Sequence, residues 1–210
     1  MAVIINNHPL MQHKITQLRN VNYKKVEFRR LSKELGELFA YELTRDLETH
    51  DVEVATPLET TMSPEIIGKK PAVVAILRAG LGLQSGLLEV MPEAKEGYID
   101  ASRDEITLVA DIAKAKLPLH LSERRIYVTE HMLATGSTSI KAIHCIKKNG
   151  GLGRNIKFIA TIAAPEGLEA LKVVHPDIDI YIGHLDRELD ENGYIRPGLG
   201  DAGDRMSGTL

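Results

Sequence analysis

The run Thr135-Gly136-Ser137-Thr138-Ser139 is small and rich in hydroxyls, and it opens a helix-periodic stretch that ends at Gly150-Gly151. A helix start presents unpaired N–H groups and a partial positive charge, so it receives phosphate. Small residues let the backbone approach the anion, and the hydroxyls of Thr135, Ser137, Thr138 and Ser139 add donors. No lysine follows the glycine, which excludes a Walker-type triphosphate loop, and the spaced glycines of a dinucleotide fingerprint are missing. Glu130 stands just upstream. A carboxylate there suits a sugar diol, because it accepts two hydroxyl protons. The segment Glu130-His131-Met132-Leu133-Ala134 and the hydroxyl run after it therefore read as a holder of a phosphorylated ribose. The plain alternative is a Ser/Thr-rich helix cap. His131 reads as a loop histidine facing solvent, and Cys145 as a small buried hydrophobe.

Such a loop needs strands and helices to hold it. Residues 23–48 read as a helix, with Val26, Leu31, Leu35, Leu38, Phe39 and Leu43 near helical spacing. Ala72 to Leu77 is a continuous apolar run followed by Gly80 and Gly82. That pattern fits a strand buried on both faces, then a tight loop, then a helix over 84–91. Ile126-Tyr127-Val128 repeats the theme before a helix over 139–149. Ile156–Ala163 is a third strand, Pro165 opens a helix that runs to Val174, and residues 178–182 are a fourth strand. The alternation predicts an α/β fold, a parallel sheet with helices on both faces, whose ligands bind at the carboxyl ends of the strands. The stretch from Asp100 to Ser122 is long for a connection and reads as a lid or β-arm.

With 210 residues, 43% of them hydrophobic and 26% charged, the chain suits one domain. Its net charge of −3 favours no long polyanion, so nucleic acid is not expected as a partner. A single cysteine rules out an intrachain disulfide framework. The N-terminus does not read as a signal peptide, and no stretch is long enough to span a bilayer, so a cytoplasmic address is expected.

Five blocks, taken in order, carry a resemblance. They are His8-Pro9-Leu10 with His13-Lys14; Ile76-Leu77-Arg78-Ala79-Gly80-Leu81-Gly82; Met132 to Gly136; Ala163-Ala164-Pro165-Glu166-Gly167; and the tail from Gly193 to Arg205. Over nearly the whole chain the sequence resembles the uracil phosphoribosyltransferase family. The resemblance implies a type I phosphoribosyltransferase fold, a single domain over 1–210 with a hood from about 185 to 210, and a homodimer or higher oligomer. It implies transfer of a phosphoribosyl group from 5-phosphoribosyl 1-diphosphate to uracil with Mg²⁺, giving UMP and diphosphate in pyrimidine salvage. GTP is an effector of some such enzymes and is left open here. Carried over by motif, Thr135 to Thr138 cradle the 5-phosphate, Glu130 takes the ribose hydroxyls, and Arg78 and Arg103 face the diphosphate. Asp201 lies on the Mg²⁺–diphosphate side. Ile195, Gly200 and Ala202 read uracil through main-chain groups, beside Asp201. No direct protein ligand set for the metal is implied.

The departures cluster around the ribose. The family usually has Asp-Pro where Glu130-His131 stands, and Gly-Ser where Ser137-Thr138 stands. In the arm, Ser102 precedes Arg103 in place of an aromatic, and Ile112 and Ala113 take the places of two tyrosines. Thr107-Leu108 and Lys116-Leu117-Pro118 are kept. A uracil phosphoribosyltransferase is the principal reading. The alternative is a homologue that binds uracil or a nucleotide, turns over weakly and serves a regulatory role.

Overall fold

A computed structural model describes residues 1–103 and 110–209, with the side chains of residues 102, 103 and 110 outside the description. The chain opens on a short strand, β1 (Val3–Ile5). In α1 (Pro9–Arg19) the first turn needs no N–H from Pro9, and the His8 ring accepts from the Leu10 amide. α2 (Lys25–Leu43) buries Phe28, Leu31, Leu35, Phe39 and Leu43 along one stripe.

The helix expected over 23–48 thus stops at Leu43. Lys157 donates from beneath to the Leu43 carbonyl at 2.7 Å and to Asp46 at 2.6 Å, and so satisfies the helix end. Beyond it, past the last residue of the expected helix, comes a hairpin, β2 (Thr49–Ala55) against β3 (Thr60–Ile66), antiparallel and largely exposed on both faces.

β4 (Ala72–Leu77), α3 (Leu81–Val90), β5 (Lys95–Arg103) and β6 (Ala110–Lys116) follow. Then come β7 (Ile126–Leu133), α4 (Ser137–Lys148), β8 (Ile156–Ala163), α5 (Pro165–Val174) and β9 (Asp179–Leu185). The tail forms a two-stranded ribbon, β10 (Glu188–Leu189) with β11 (Ile195–Arg196), and a last helix, α6 (Ala202–Ser207).

One seven-stranded sheet runs β1-β9-β8-β7-β4-β5-β6, parallel except where β6 returns along β5. The stretch after Asp100 is therefore in part an antiparallel hairpin continuing the sheet, and residues 104–109, which hold Thr107-Leu108, lie outside the described residues. Alternate side chains of each central strand serve opposite faces. Val73, Tyr127 and Ile159 pack under α1, α2 and α3; Val74, Val128 and Phe158 pack under α4 and α5. That two-sided burial is why these strands read as continuous apolar runs.

α2 and α3 meet backbone to backbone. A Cβ on Gly86 would stand 2.0 Å from the Lys33 carbonyl oxygen, and one on Gly36 would stand 2.3 Å from that of Leu83. Gly86→Ala is expected to lower the unfolding free energy by about 1–3 kcal/mol, because the overlap outweighs the ~1 kcal/mol that alanine gains in a helix. Urea unfolding checks this, and an unchanged or raised midpoint would refute it.

Candidate active site

β4 and β7 lie side by side, and their carboxyl ends deliver the two glycine-bearing loops to one edge of the sheet. After β4 come Arg78, Ala79 and Gly80, with a cis peptide between Leu77 and Arg78. Gly80 sits flat on β7: a Cβ there would stand 2.3 Å from the Thr129 carbonyl oxygen. The Thr129 hydroxyl donates to the Gly80 carbonyl at 2.9 Å. The two loops are therefore held to each other by one buried threonine.

β7 runs on past Val128 to Leu133, so Glu130 and His131 are strand residues. Their polarity suggested a loop, but each is accommodated by a local bond. Glu130 Oε1 accepts from the His131 amide at 2.9 Å. The His131 ring meets the Thr161 hydroxyl of β8 through Nδ1 at 2.8 Å and packs against Phe28 with ring centroids 5.5 Å apart. The solvent-facing reading of His131 is thus corrected: the residue is fully buried, and among the described residues its Nε2 has no partner. Burial pushes its pKa down to about 3, so the ring is neutral.

The loop proper begins at Ala134. Gly136 turns it with φ of +81°, and α4 starts at Ser137. The Thr135 hydroxyl accepts the Ser137 amide at 3.4 Å, and the Gly136 carbonyl accepts from Ile140. Among the described residues, the amides of Thr135, Gly136, Thr138 and Ser139 donate to no protein acceptor. This is the arrangement an anion seat needs and a self-satisfied cap does not. Gly167, at the start of α5, lies on the loop from outside, where a Cβ would stand 2.0 Å from the Ala134 carbonyl oxygen.

Across from the loop stands the tail. Glu130, Met132, Ala134, Thr135, Gly136, Thr138 and Ser139 face Gly193, Tyr194, Gly200 and Asp201 around a cavity of about 220 Å³. Gly200 takes φ of +78°. Asp201 caps α6 by accepting the Asp204 amide at 2.9 Å. Ile195 and Ala202 are buried behind this tail, and neither lines the cavity. Arg78 reaches the same rim, with Nη2 3.2 Å from Asp204 Oδ1 and Nη1 3.4 Å from Thr209 Oγ1.

Not every expected residue is on this cavity: Ile195, Ala202 and Arg78 are not among the residues that line it. His131 and Leu133 lie in the core, Ser137 does not line it, and Arg103 ends β5 with its side chain outside the described residues. Tyr194 lines it without having been singled out, since a lone tyrosine in a Gly-rich tail carries no spacing signal. Among the described residues no three His, Cys, Asp or Glu side chains gather as a metal site. Asp201 and Asp204 offer oxygen donors at the rim. A larger cavity of about 720 Å³ opens at the opposite, amino ends of the strands, between Lys69–Pro71 and Met91–Ala94, away from all these residues.

Burial pushes the Glu130 pKa up to about 8; the His131 and Met132 amides pull it down, and the charge of Asp201 adds to the rise. Between the ordinary carboxylate range and pH 8 the folded chain holds a proton that the unfolded chain has released. Stability is then fully present below about pH 4.5 and is lost as pH rises through about 8, with a slope of up to about 1.4 kcal/mol per pH unit. Denaturant unfolding of the wild type and of Glu130→Gln at pH 5.5 and 8.5 checks this. The wild type is expected to lose more on going to pH 8.5, and equal losses would refute the buried, protonated carboxyl.

The family model described as uracil phosphoribosyltransferase matches residues 4–209. A uracil phosphoribosyltransferase of Listeria innocua is 52% identical over 207 residues, covering 99% of this chain and 98% of that one. A solved structure of a protein from Aquifex aeolicus superposes with a TM-score of 0.92 at 35% identity, covering 99% of this chain and 98% of the other. The fold is shared more widely: an adenine phosphoribosyltransferase of Trypanosoma brucei gives a TM-score of 0.57 at 9% identity, over 95% of this chain and 87% of that one.

Proposed function

Because the chain belongs to the uracil phosphoribosyltransferase family, we propose that it is a pentosyltransferase that joins uracil to 5-phosphoribosyl 1-diphosphate, giving UMP and diphosphate. The observation that carries this reading is the single cavity where Glu130 and the Thr135–Ser139 loop face the Gly200–Asp201 tail.

The amides of Thr135, Gly136, Thr138 and Ser139, which meet no acceptor among the described residues, suit the 5-phosphate, and Thr135 and Thr138 add hydroxyls. Glu130, which lines the cavity, would accept two ribose hydroxyls. Those donors favour its ionised form, so binding is expected to release a proton near neutral pH. In the reaction the bond from ribose C1 to diphosphate breaks and diphosphate leaves as uracil N1 bonds to C1, the N1 proton passing to solvent. Positive charge develops on the sugar ring beside Glu130, and negative charge develops on the diphosphate.

Arg78, and Arg103 by resemblance, would meet the leaving diphosphate, where a planar fork pairs with phosphate oxygens. Mg²⁺ fits the rim: it keeps most of its water and takes one or two carboxylates plus phosphate oxygens, which Asp201 and Asp204 with the diphosphate would supply. When bound it would neutralise the leaving group.

Uracil offers carbonyl acceptors and one imide N–H, which the main chain of Ile195, Gly200 and Ala202 can meet. Cytosine would set an amino donor against a backbone donor, and such a buried mismatch supports rejection of roughly 10⁴-fold. Assaying UMP from uracil and 5-phosphoribosyl 1-diphosphate with Mg²⁺ tests the reading. Ligand binding with no product would favour the regulatory alternative.

The proposal includes a homodimer or larger assembly. The hairpin β2–β3 stands clear of the core with Val54, Leu58, Met62 and Ile66 exposed, which supports a covering partner. A solution mass at least twice 23.2 kDa is expected, and a monomer at micromolar concentration would count against it. No helix among the described residues is long and apolar enough to cross a membrane.

A further inference from the structure

The tail that faces Glu130 is held from behind by two arginines that do not line the cavity. Arg19, at the end of α1, gives both terminal nitrogens to the Asp186 carboxylate, whose side chain is fully buried, and Nη1 also donates to the Gly198 carbonyl at 2.7 Å. The same carboxylate accepts the Gly198 amide at 3.0 Å. One ion pair therefore fixes both main-chain groups of Gly198.

One residue on, Arg205 of α6 donates to the Leu199 carbonyl at 2.8 Å. It also holds the carbonyls of Leu18, Asn20 and Tyr23 at and beyond the end of α1, with its guanidinium 4.7 Å above the Phe28 ring. Helix-end carbonyls lack helical donors, and a planar fork with five N–H groups can serve several at once.

Gly200, directly after these two clamped residues, lines the cavity. We propose that Arg205 and the Arg19–Asp186 pair are positioning residues for base selectivity, holding the Gly200–Ala202 main chain where it accepts an imide N–H and rejects an exocyclic amine. This rests on reading the cavity as the uracil site. A site that reads through main chain cannot adjust by changing rotamers, so it discriminates only as well as its backbone is held. Loosening the clamp lets a backbone donor turn away from the cytosine amine and removes the mismatch.

The test uses Arg205→Lys and Arg19→Lys, which keep the charge but replace the fork with a single nitrogen. KM for uracil, KM for 5-phosphoribosyl 1-diphosphate, kcat and the inhibition constant for cytosine are measured in each. The expected result is a rise of about tenfold in KM for uracil, a similar fall in the preference for uracil over cytosine, and KM for the phosphoribosyl donor within about twofold of wild type. A folded variant with wild-type uracil KM and wild-type preference overturns the proposal. So does a parallel rise of both KM values, which is what a merely structural role would give. Should Arg205→Lys fail to fold, Arg19→Lys decides by the same criteria. A wild type that neither binds uracil nor forms UMP removes the site reading, and this proposal with it; failure confined to the variants removes the proposal alone.

Discussion

Replacing Glu130 with alanine is expected to lower UMP formation by about two orders of magnitude, the scale of losing one preorganised charged group at a reacting centre. The residue is buried, its carboxyl lies on the cavity shared with the phosphate loop, and burial has already raised its pKa to about 8. Ionised beside the sugar, it would stabilise the developing ring cation without screening by water. Glu130→Asp is expected to keep or raise turnover, since it restores the reach usual in the family. Uracil affinity should change little in either, because in the proposed site the tail, not Glu130, would meet the base. Rates and ligand affinities of the three proteins, measured together, check this. A fully active Glu130→Ala would end the proposed role, and a wild-type rate near background with altered affinity in the variant would point to the regulatory reading.

Gly167→Ala is expected to have an effect of similar size from a residue that touches no ligand. Its Cβ would fall 2.0 Å from the Ala134 carbonyl oxygen, 2.8 Å from the Ala134 carbon and 2.9 Å from the Leu133 oxygen, all of them backbone. Either the start of α5 or the phosphate loop must move. A shift of about 1 Å at the loop costs on the order of 10²-fold in rate, and overpacking of this kind removes about 1–3 kcal/mol of stability. Steady-state kinetics with varied phosphoribosyl donor, together with thermal unfolding, read the two effects. Wild-type kcat/KM for the donor would refute the argument that this glycine sets the loop.

The central strands were legible because Ala72–Leu77 and Ile156–Ala163 are buried on both faces and so are written in apolar residues, Lys157 and Thr161 apart. The hairpin β2–β3 was not, because it buries almost nothing and its sequence has no core face to record. The end of α2 was missed because Lys157, more than a hundred residues away, terminates it. Much the same division runs through the site. The hydroxyl-rich loop could be read from spacing and helix-start chemistry. The burial of His131 could not, since a histidine before a small-residue loop reads as polar, and only the register of β7 on β8 brings Thr161 to its ring. The meeting of Arg78 with the tail likewise needs the fold, because nothing local links positions 78 and 204.

The bond between Glu130 and the amide of the residue after it has a consequence for descent. A proline at 131, the family's usual residue there, has no N–H to give, so the longer acid would lose one of the two amides that hold it, and Thr161 would lose its partner across the strands. Glutamate at 130 beside proline at 131 is the mismatched pair, so a change of His131 to proline is expected to follow a change of Glu130 to aspartate rather than precede it. The two positions are therefore expected to travel together through lineages, each setting which residues its neighbour can accept.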